Sequence, residues 1–266
     1  SLLAVFTAVN AYTVVKKLLT KQETHFDKPL EPSGTSINPQ HKSIKQLLRD
    51  YVTVIASNRS LLLLYVITML NIIGGGIGNG INLHYLRFVL QKEDMISLQM
   101  VIAFAGTVIS YMIAPRLLRR MSPIKLLKWI VSISMMANLL NLIIGRQFVP
   151  AFLTLNAINS LASGITMISL MILLNHNGDL IENKIGSRMD NSLFALNAFS
   201  IKLGSAFSGG LSGVLLTLAG YASQSTAQSA ATVNSINIIR FIGPVIGGMI
   251  IIMVLGVISR READRK

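Results

Sequence analysis

Long apolar runs alternate along the chain with short polar ones. Mostly apolar residues fill 61–86, 97–114, 126–145, 150–174, 191–218 and 236–259. About 20 such residues, at ~1.5 Å of helical rise each, cross the hydrocarbon core of a bilayer. The pattern therefore predicts an all-α membrane protein with six spanning helices. No segment sustains the period-two alternation of a membrane-spanning strand. A further run, SLLAVFTAVNAYTVV at 1–15, is too short to span. It reads as the end of a truncated transmembrane helix. The chain starts inside that run without a Met, as a piece of a longer protein would.

A polar segment, 16–58, separates the remnant from the first full span. Its middle, HFDKPLEPSGTSINPQHK, carries three Pro, a Gly and several Ser, Thr and Asn, which is linker composition. Its end differs. Ile44, Leu47, Leu48, Tyr51, Val52 and Ile55 recur at helical spacing, with Lys45, Gln46, Arg49 and Asp50 opposite. The pattern predicts an amphipathic helix over 43–57, lying on the membrane or packed against the ends of the spans.

Composition narrows the class. Of 266 residues 52% are hydrophobic and 13% charged, where soluble domains carry about 25% charged. Mean hydropathy is +0.58. A water-soluble enzyme, a disordered chain and a disulfide scaffold are set aside, the last because there is no Cys. The net charge of +13 is spread over many short loops, so it reads as topology and not as a nucleic-acid surface. The linker counted through Arg59, the loop after the second span, the loop after the fourth and the tail at 260–266 hold nineteen basic residues. The three intervening loops hold three. Such asymmetry places the linker and C-terminus in the cytoplasm.

Two basic residues remain, Lys202 and Arg240, inside the fifth and sixth spans, while every acidic residue lies in a loop or tail. A cation at mid-bilayer costs at least ~2.5–3.5 kcal/mol on insertion scales and is usually paired or functional. Lys202 lies near mid-depth and reads as a site lysine whose carboxylate partners belong to other spans. Arg240, about five residues into its span, reads as an interfacial anchor. Within the fourth span Asn156, Asn159, Ser160 and Ser163 form a stripe that faces protein or water. In the first, GGGIGNG at 74–80 fits no nucleotide loop and reads as a flexible or kinked helix, with Asn71, Asn79 and Asn82 as cavity candidates. Pairs such as Gly204/Ser208 and Gly209/Gly213 allow close helix approach. The four His are scattered, so no metal site or enzyme active site is expected.

The segment GDLIENKIGSRMDNSLFALNAFSIKLGSAFSGGLSGVLLTLAGY carries a resemblance. Asp179, Glu182, Arg188, Asp190, Lys202–Leu203–Gly204 and Gly220–Tyr221 are spaced as in the glycoside–pentoside–hexuronide:cation symporter family. SNRSLLLL at 57–64 is similar to the opening of that family's seventh span, with Ser60 in place of Pro, and HYLRFVL at 84–90 to its aromatic end. His176 stands where the family often has Asp.

The resemblance implies the C-terminal half of a twelve-span major facilitator transporter in the plasma membrane, with 59–259 as its six-helix bundle. It implies symport of a sugar or glycoside with Na⁺ or H⁺ by alternating access. No resident cofactor is implied, and the coupling cation would be bound mainly by an N-terminal six-span bundle. Lys202, Asn197 and Ser205 are then substrate- or cation-cavity residues. Asp179, Glu182, Arg188 and Asp190 are cytoplasmic gate candidates. The partners are the lipid bilayer, the sugar and the N-terminal bundle, without nucleic acid. A lysolipid or other amphiphile as cargo, and a non-transporting membrane sensor or regulator, are the alternatives.

Overall fold

The computed structural model describes residues 58–185, 190–225 and 227–263, with side chains described over 58–180, 193–225 and 227–259. The remnant at 1–15, the linker with its 43–57 helix, and the gate residue Arg188 lie outside the described residues. Glu182 and Asp190 are described by backbone alone.

Six helices follow one another: α1 Arg59–His84, α2 Ile96–Leu118, α3 Pro123–Ile144, α4 Val149–Ile185, α5 Asp190–Leu218 and α6 Ala230–Ala263. All six are long and apolar enough to cross a membrane. Local chemistry sets their ends. The Asn58 side chain caps α1 by accepting from the Leu61 N–H at 3.3 Å. Pro123 opens α3, where its missing N–H costs nothing. Gly220, at φ +74°, ends α5; the Tyr221 N–H then donates to the Leu216 carbonyl, closing a Schellman turn. Tyr221 docks edge-on against His84 and Phe88.

Two boundaries differ from the sequence expectation. Helix α4 runs on to Ile185, and α6 starts at Ala230, six residues before the apolar run at 236. Hydropathy marks where lipid begins, whereas the helix continues through polar flanks because its backbone hydrogen bonds are internal.

Helix α1 lies between α5 and α6, α6 also packs on α3, α3 on α4, and α4 on α2. The glycines of α1 explain its central place. A Cβ on Gly78 would lie 3.1 Å from the Arg240 carbonyl oxygen and 3.2 Å from Pro244 Cγ, and one on Gly74 would lie 3.5 Å from Pro244 Cα. Gly74 and Gly78, four apart, thus form the seam with α6. Gly76 and Gly80, on another face, form the seam with α5, where Cβ atoms would run into Ser208 and Ser212. Helix α1 is continuous through 74–80, and its glycines serve backbone approach on two sides. On α5, Gly204 and Ser208 take part in that seam, whereas Gly209 and Gly213 have nothing within 4 Å of a Cβ position.

Past Gly80 the helix widens into a π turn, Tyr85–Val89. The turn aims Tyr85, Leu86 and Val89 together into an aliphatic and aromatic layer with Phe152, Ile236 and Phe241. A second layer, Leu64, Ile67, Leu127, Val131, Leu173, Ile251 and Leu255, fills the other end. A polar cavity lies between the two layers.

Candidate functional site

The cavity encloses about 530 Å³ and takes residues from all six helices. Polar groups at its wall are Asn71 and Asn79 of α1, Gln99 and Thr107 of α2, Ser134 and Asn138 of α3, Asn156, Asn159, Ser160, Ser163 and Thr166 of α4, Ser205 and Ser208 of α5, and Arg240 of α6. Amides and hydroxyls dominate, Arg240 carries the single formal charge among these lining residues, and none is a carboxylate. The α4 stripe faces the cavity as its spacing predicted. Asn71 and Asn79 line it too. Asn82 does not, but it pairs with Gln99, which does.

Three small networks fix the amides. The Ser134 hydroxyl donates to Asn159 Oδ1 at 2.7 Å, and Asn138 Nδ2 donates to the same oxygen at 3.1 Å. Asn138 Nδ2 also donates to the Ser134 carbonyl at 2.8 Å. Both protons of the Asn138 amide are thereby used, so its Oδ1 is left to accept. Both lone pairs of Asn159 Oδ1 are used, so its Nδ2 is left to donate. The linked amides present one acceptor and one donor side by side, with Asn138 only 8% exposed.

A second network is the reciprocal pair Asn82 Nδ2 to Gln99 Oε1 at 2.9 Å and Gln99 Nε2 to Asn82 Oδ1 at 3.2 Å. It ties α1 to α2 across the cavity rim. Interhelical polar contacts in membranes average ~0.6 kcal/mol each. A double-mutant cycle with Asn82→Ala and Gln99→Ala is expected to give a coupling of about 1 kcal/mol in the unfolding free energy measured in detergent. Strictly additive losses would show that the pair carries no such energy.

The third network centres on Arg240, and here the structure corrects the expectation. Arg240 is no interfacial anchor: it is 6% exposed. Because α6 begins at Ala230, Arg240 stands ten residues, about 15 Å, into the helix. Its Nη1 donates to the Gly78 carbonyl at 3.0 Å and its Nη2 to Asn156 Oδ1 at 3.2 Å. The guanidinium lies 5.3 Å from the Tyr85 ring centroid, 5.6 Å from Phe152 and 5.0 Å from Phe241, within cation–π range of each. Its Nε is buried with no hydrogen-bond partner. Pro244, four residues on, has no N–H to offer the Arg240 carbonyl; that carbonyl faces Gly78 instead.

Of the residues singled out from the resemblance, Ser205 lines the cavity, its hydroxyl donating to the Ile201 carbonyl at 2.9 Å. Lys202 and Asn197 are not among the lining residues. Lys202 is exposed and Asn197 half-buried. Lys202, three residues before Ser205, lies about 60° around α5 from it, on the flank leading away from the α1 seam. Among the described residues the one ion pair is Arg87 Nε to Glu93 Oε2 at 3.8 Å, so Lys202 has no described acidic partner. Asp179 is exposed on the extended end of α4. Of the gate candidates only the Asp179 side chain is described; those of Glu182, Arg188 and Asp190 lie outside the residues with described side chains.

Sequence reasoning missed Asn138, Gln99, Ser134 and the burial of Arg240. Helical spacing could have found the first and third, since Ser134, Asn138 and Asn141 recur at 3–4 on α3. Nothing local marks Gln99.

A family described as MFS/sugar transport protein matches residues 21–259. The chain is also similar to "Putative glycoside/cation symporter YagG" of Escherichia coli (strain K12), 23% identical over 190 residues, which are 71% of this chain and 40% of that protein. The chain thus spans about two fifths of the length of the curated relative it matches.

Proposed function

This chain belongs to the MFS/sugar transport protein family, and on that premise we propose that it forms one side of the path by which a sugar or glycoside crosses the membrane, coupled to Na⁺ or H⁺. The observation that carries this reading is the cavity wall. A neutral sugar needs donors and acceptors in close alternation, and the locked Asn138 and Asn159 amides offer one of each within a wall of further amides and hydroxyls. A glycoside/cation symporter is also what the printed name of the relative describes. The multi-pass protein would sit in the plasma membrane with its basic loops in the cytoplasm.

Lys202 would act on the open flank of α5, beside Ser205, where carboxylates from other spans of the transporter could reach it. The single charge that the chain offers there is worth most once water is excluded. Movement would follow alternating access, with this bundle rocking about a site near the midplane.

An apolar groove of about 280 Å³ between α1, α5 and α6 favours the amphiphile reading to the extent that it meets the cavity wall at Leu70, Gly74 and Gly247. That wall is tightly packed, however. A Cβ on Gly247 would lie 3.4 Å from Gly74 Cα, so backbone contact between α1 and α6 stands between the groove and the cavity.

The test is gradient-driven uptake of radiolabelled sugars into proteoliposomes holding the protein, with Lys202→Ala alongside. Sugar flux that depends on a Na⁺ or H⁺ gradient is expected, with Lys202→Ala reducing the driven component about tenfold or more while exchange persists. Undiminished driven uptake in the variant removes Lys202 from coupling. Flux of a lysolipid with no sugar flux overturns the sugar reading.

A further inference from the structure

We propose that the hairpin of α2 and α3 holds the headgroup of an anionic phospholipid, with an acyl chain of that lipid lying along the exposed face of α3. The inference goes beyond sugar transport and does not depend on it.

Five cations fall between 116 and 128: Arg116, Arg119, Arg120, Lys125 and Lys128. The helix ends that carry them pack on one another through Ala114, Leu117, Leu126 and Ile130, so the cations gather at one end of the bundle. Lys128 is half-buried and the other four are exposed. The sequence has no acidic residue between Asp94 and Asp179. Among the described residues none of the five meets a carboxylate. Their charge is thus open to an anion from outside the chain.

Fixing topology needs cations anywhere in such a loop. It does not need the order found on α3. Lys125, Trp129, Ile133, Met136 and Leu140 recur at helical spacing and all are exposed, so they share one outer face. A cation, an indole and then aliphatic side chains follow one another down that face. Phosphate, ester region and acyl chain follow one another in a phospholipid. Trp129 is 66% exposed, and indoles favour the headgroup level. From Trp129 to Leu140 the helix rises about 16 Å, which matches one leaflet of a ~30 Å hydrocarbon core. Ser132 borders the same face, but its hydroxyl donates to the Lys128 carbonyl at 2.8 Å and is spent within the helix.

Arg116 supplies the second side of the site. Its Nη1 donates to the Met112 carbonyl at 3.1 Å, which folds the guanidinium back along α2 beside Met112, itself 64% exposed. A guanidinium laid against a lipid-facing side chain, with one described bond for its five N–H donors, suits a phosphate diester at the headgroup level. A soluble acidic partner would find the cations but would have no use for the indole and aliphatic face beneath them.

Trp129 is the one tryptophan of the chain, so its fluorescence reads lipid at this face alone. The test reconstitutes the purified full chain in vesicles of phosphatidylcholine and phosphatidylglycerol. Quenching of Trp129 by acyl-brominated phosphatidylglycerol is compared with quenching by brominated phosphatidylcholine at the same mole fraction. A preference for phosphatidylglycerol of about tenfold is expected at low salt, shrinking as salt rises. Arg116→Gln with Lys125→Gln should remove most of it, whereas Arg87→Gln, at the other end of α2, should leave it intact.

Equal quenching by the two lipids in the wild type overturns the proposal and needs no folded variant. So does a preference that survives the double substitution in protein of unchanged circular dichroism. Loss of the preference on adding glycerol 3-phosphate would mean that the cations take a soluble phosphate and not a lipid. An absence of quenching by either lipid would mean that another protein surface, such as a second copy of this chain, covers the face. Both outcomes also overturn it.

Discussion

Gly78→Leu is expected to lower the unfolding free energy of the protein by about 3 kcal/mol, the upper part of the usual range for overpacking. A Cβ there would already lie 3.1 Å from a carbonyl oxygen and 3.2 Å from a proline ring. Neither neighbour is the free end of a flexible side chain. The rest of the leucine has no room unless α1 and α6 separate, and separation would also break the Arg240 Nη1 bond to the Gly78 carbonyl. Gly75→Ala is the control, because no atom lies within 4 Å of its Cβ position. Unfolding in mixed micelles, followed by far-UV circular dichroism, would show the Leu variant melting early and the Ala variant unchanged. Equal stability of both would mean that the two helices are not held at the distance described.

Asn159→Leu is expected to reduce sugar uptake about tenfold to a hundredfold, the cost of leaving polar partners unmatched in a partly buried site. The substitution removes the Nδ2 donor facing the cavity. It also strands the Ser134 hydroxyl and one proton of the Asn138 amide, both of which end on Asn159 Oδ1. Asn159→Asp separates the two effects. It keeps an oxygen for Ser134 and Asn138 but has no N–H for a substrate. Initial uptake rates should fall in both variants, whereas loss of folded protein should be confined to the leucine. An aspartate variant with wild-type uptake of every sugar tested would show that no substrate hydroxyl accepts from Asn159.

Much of this architecture was legible along the chain because lipid imposes a simple rule. Each of the six apolar runs is a helix, and the 3–4 spacing of Asn156, Asn159, Ser160 and Ser163 placed them correctly on the cavity wall. Other features depended on partners that are remote in sequence. The burial of Arg240 comes from Tyr85, Phe152 and Gly78 on other helices, and from six residues, 230–235, that lengthen α6 before its apolar run. The glycines of 74–80 looked like a weakness because flexibility is a property of an isolated helix. Their role appears only with Ser208, Ser212 and Pro244 against them. Lys202 was conspicuous as a lone charge, but its exposure on α5 follows from which face of that helix meets α1.

The seams of the bundle divide its mechanics. Helices α5, α1 and α6 are joined by glycine contacts at backbone distance, and α2 meets α4 in the same manner where Gly106 faces Ser160 and Gly164 faces Ser110. Such joints have no side chains to rearrange, so they shear poorly and tend to travel as slabs. The joint of α3 on α6 is built instead from aliphatic side chains such as Met135, Val131, Ile251 and Leu255, of which Met135 and Leu255 can exchange rotamers while staying in contact. Any breathing of this bundle should therefore pivot on that aliphatic hinge, and Arg240 reaching from α6 to Asn156 on α4 would be the bolt that must slide first.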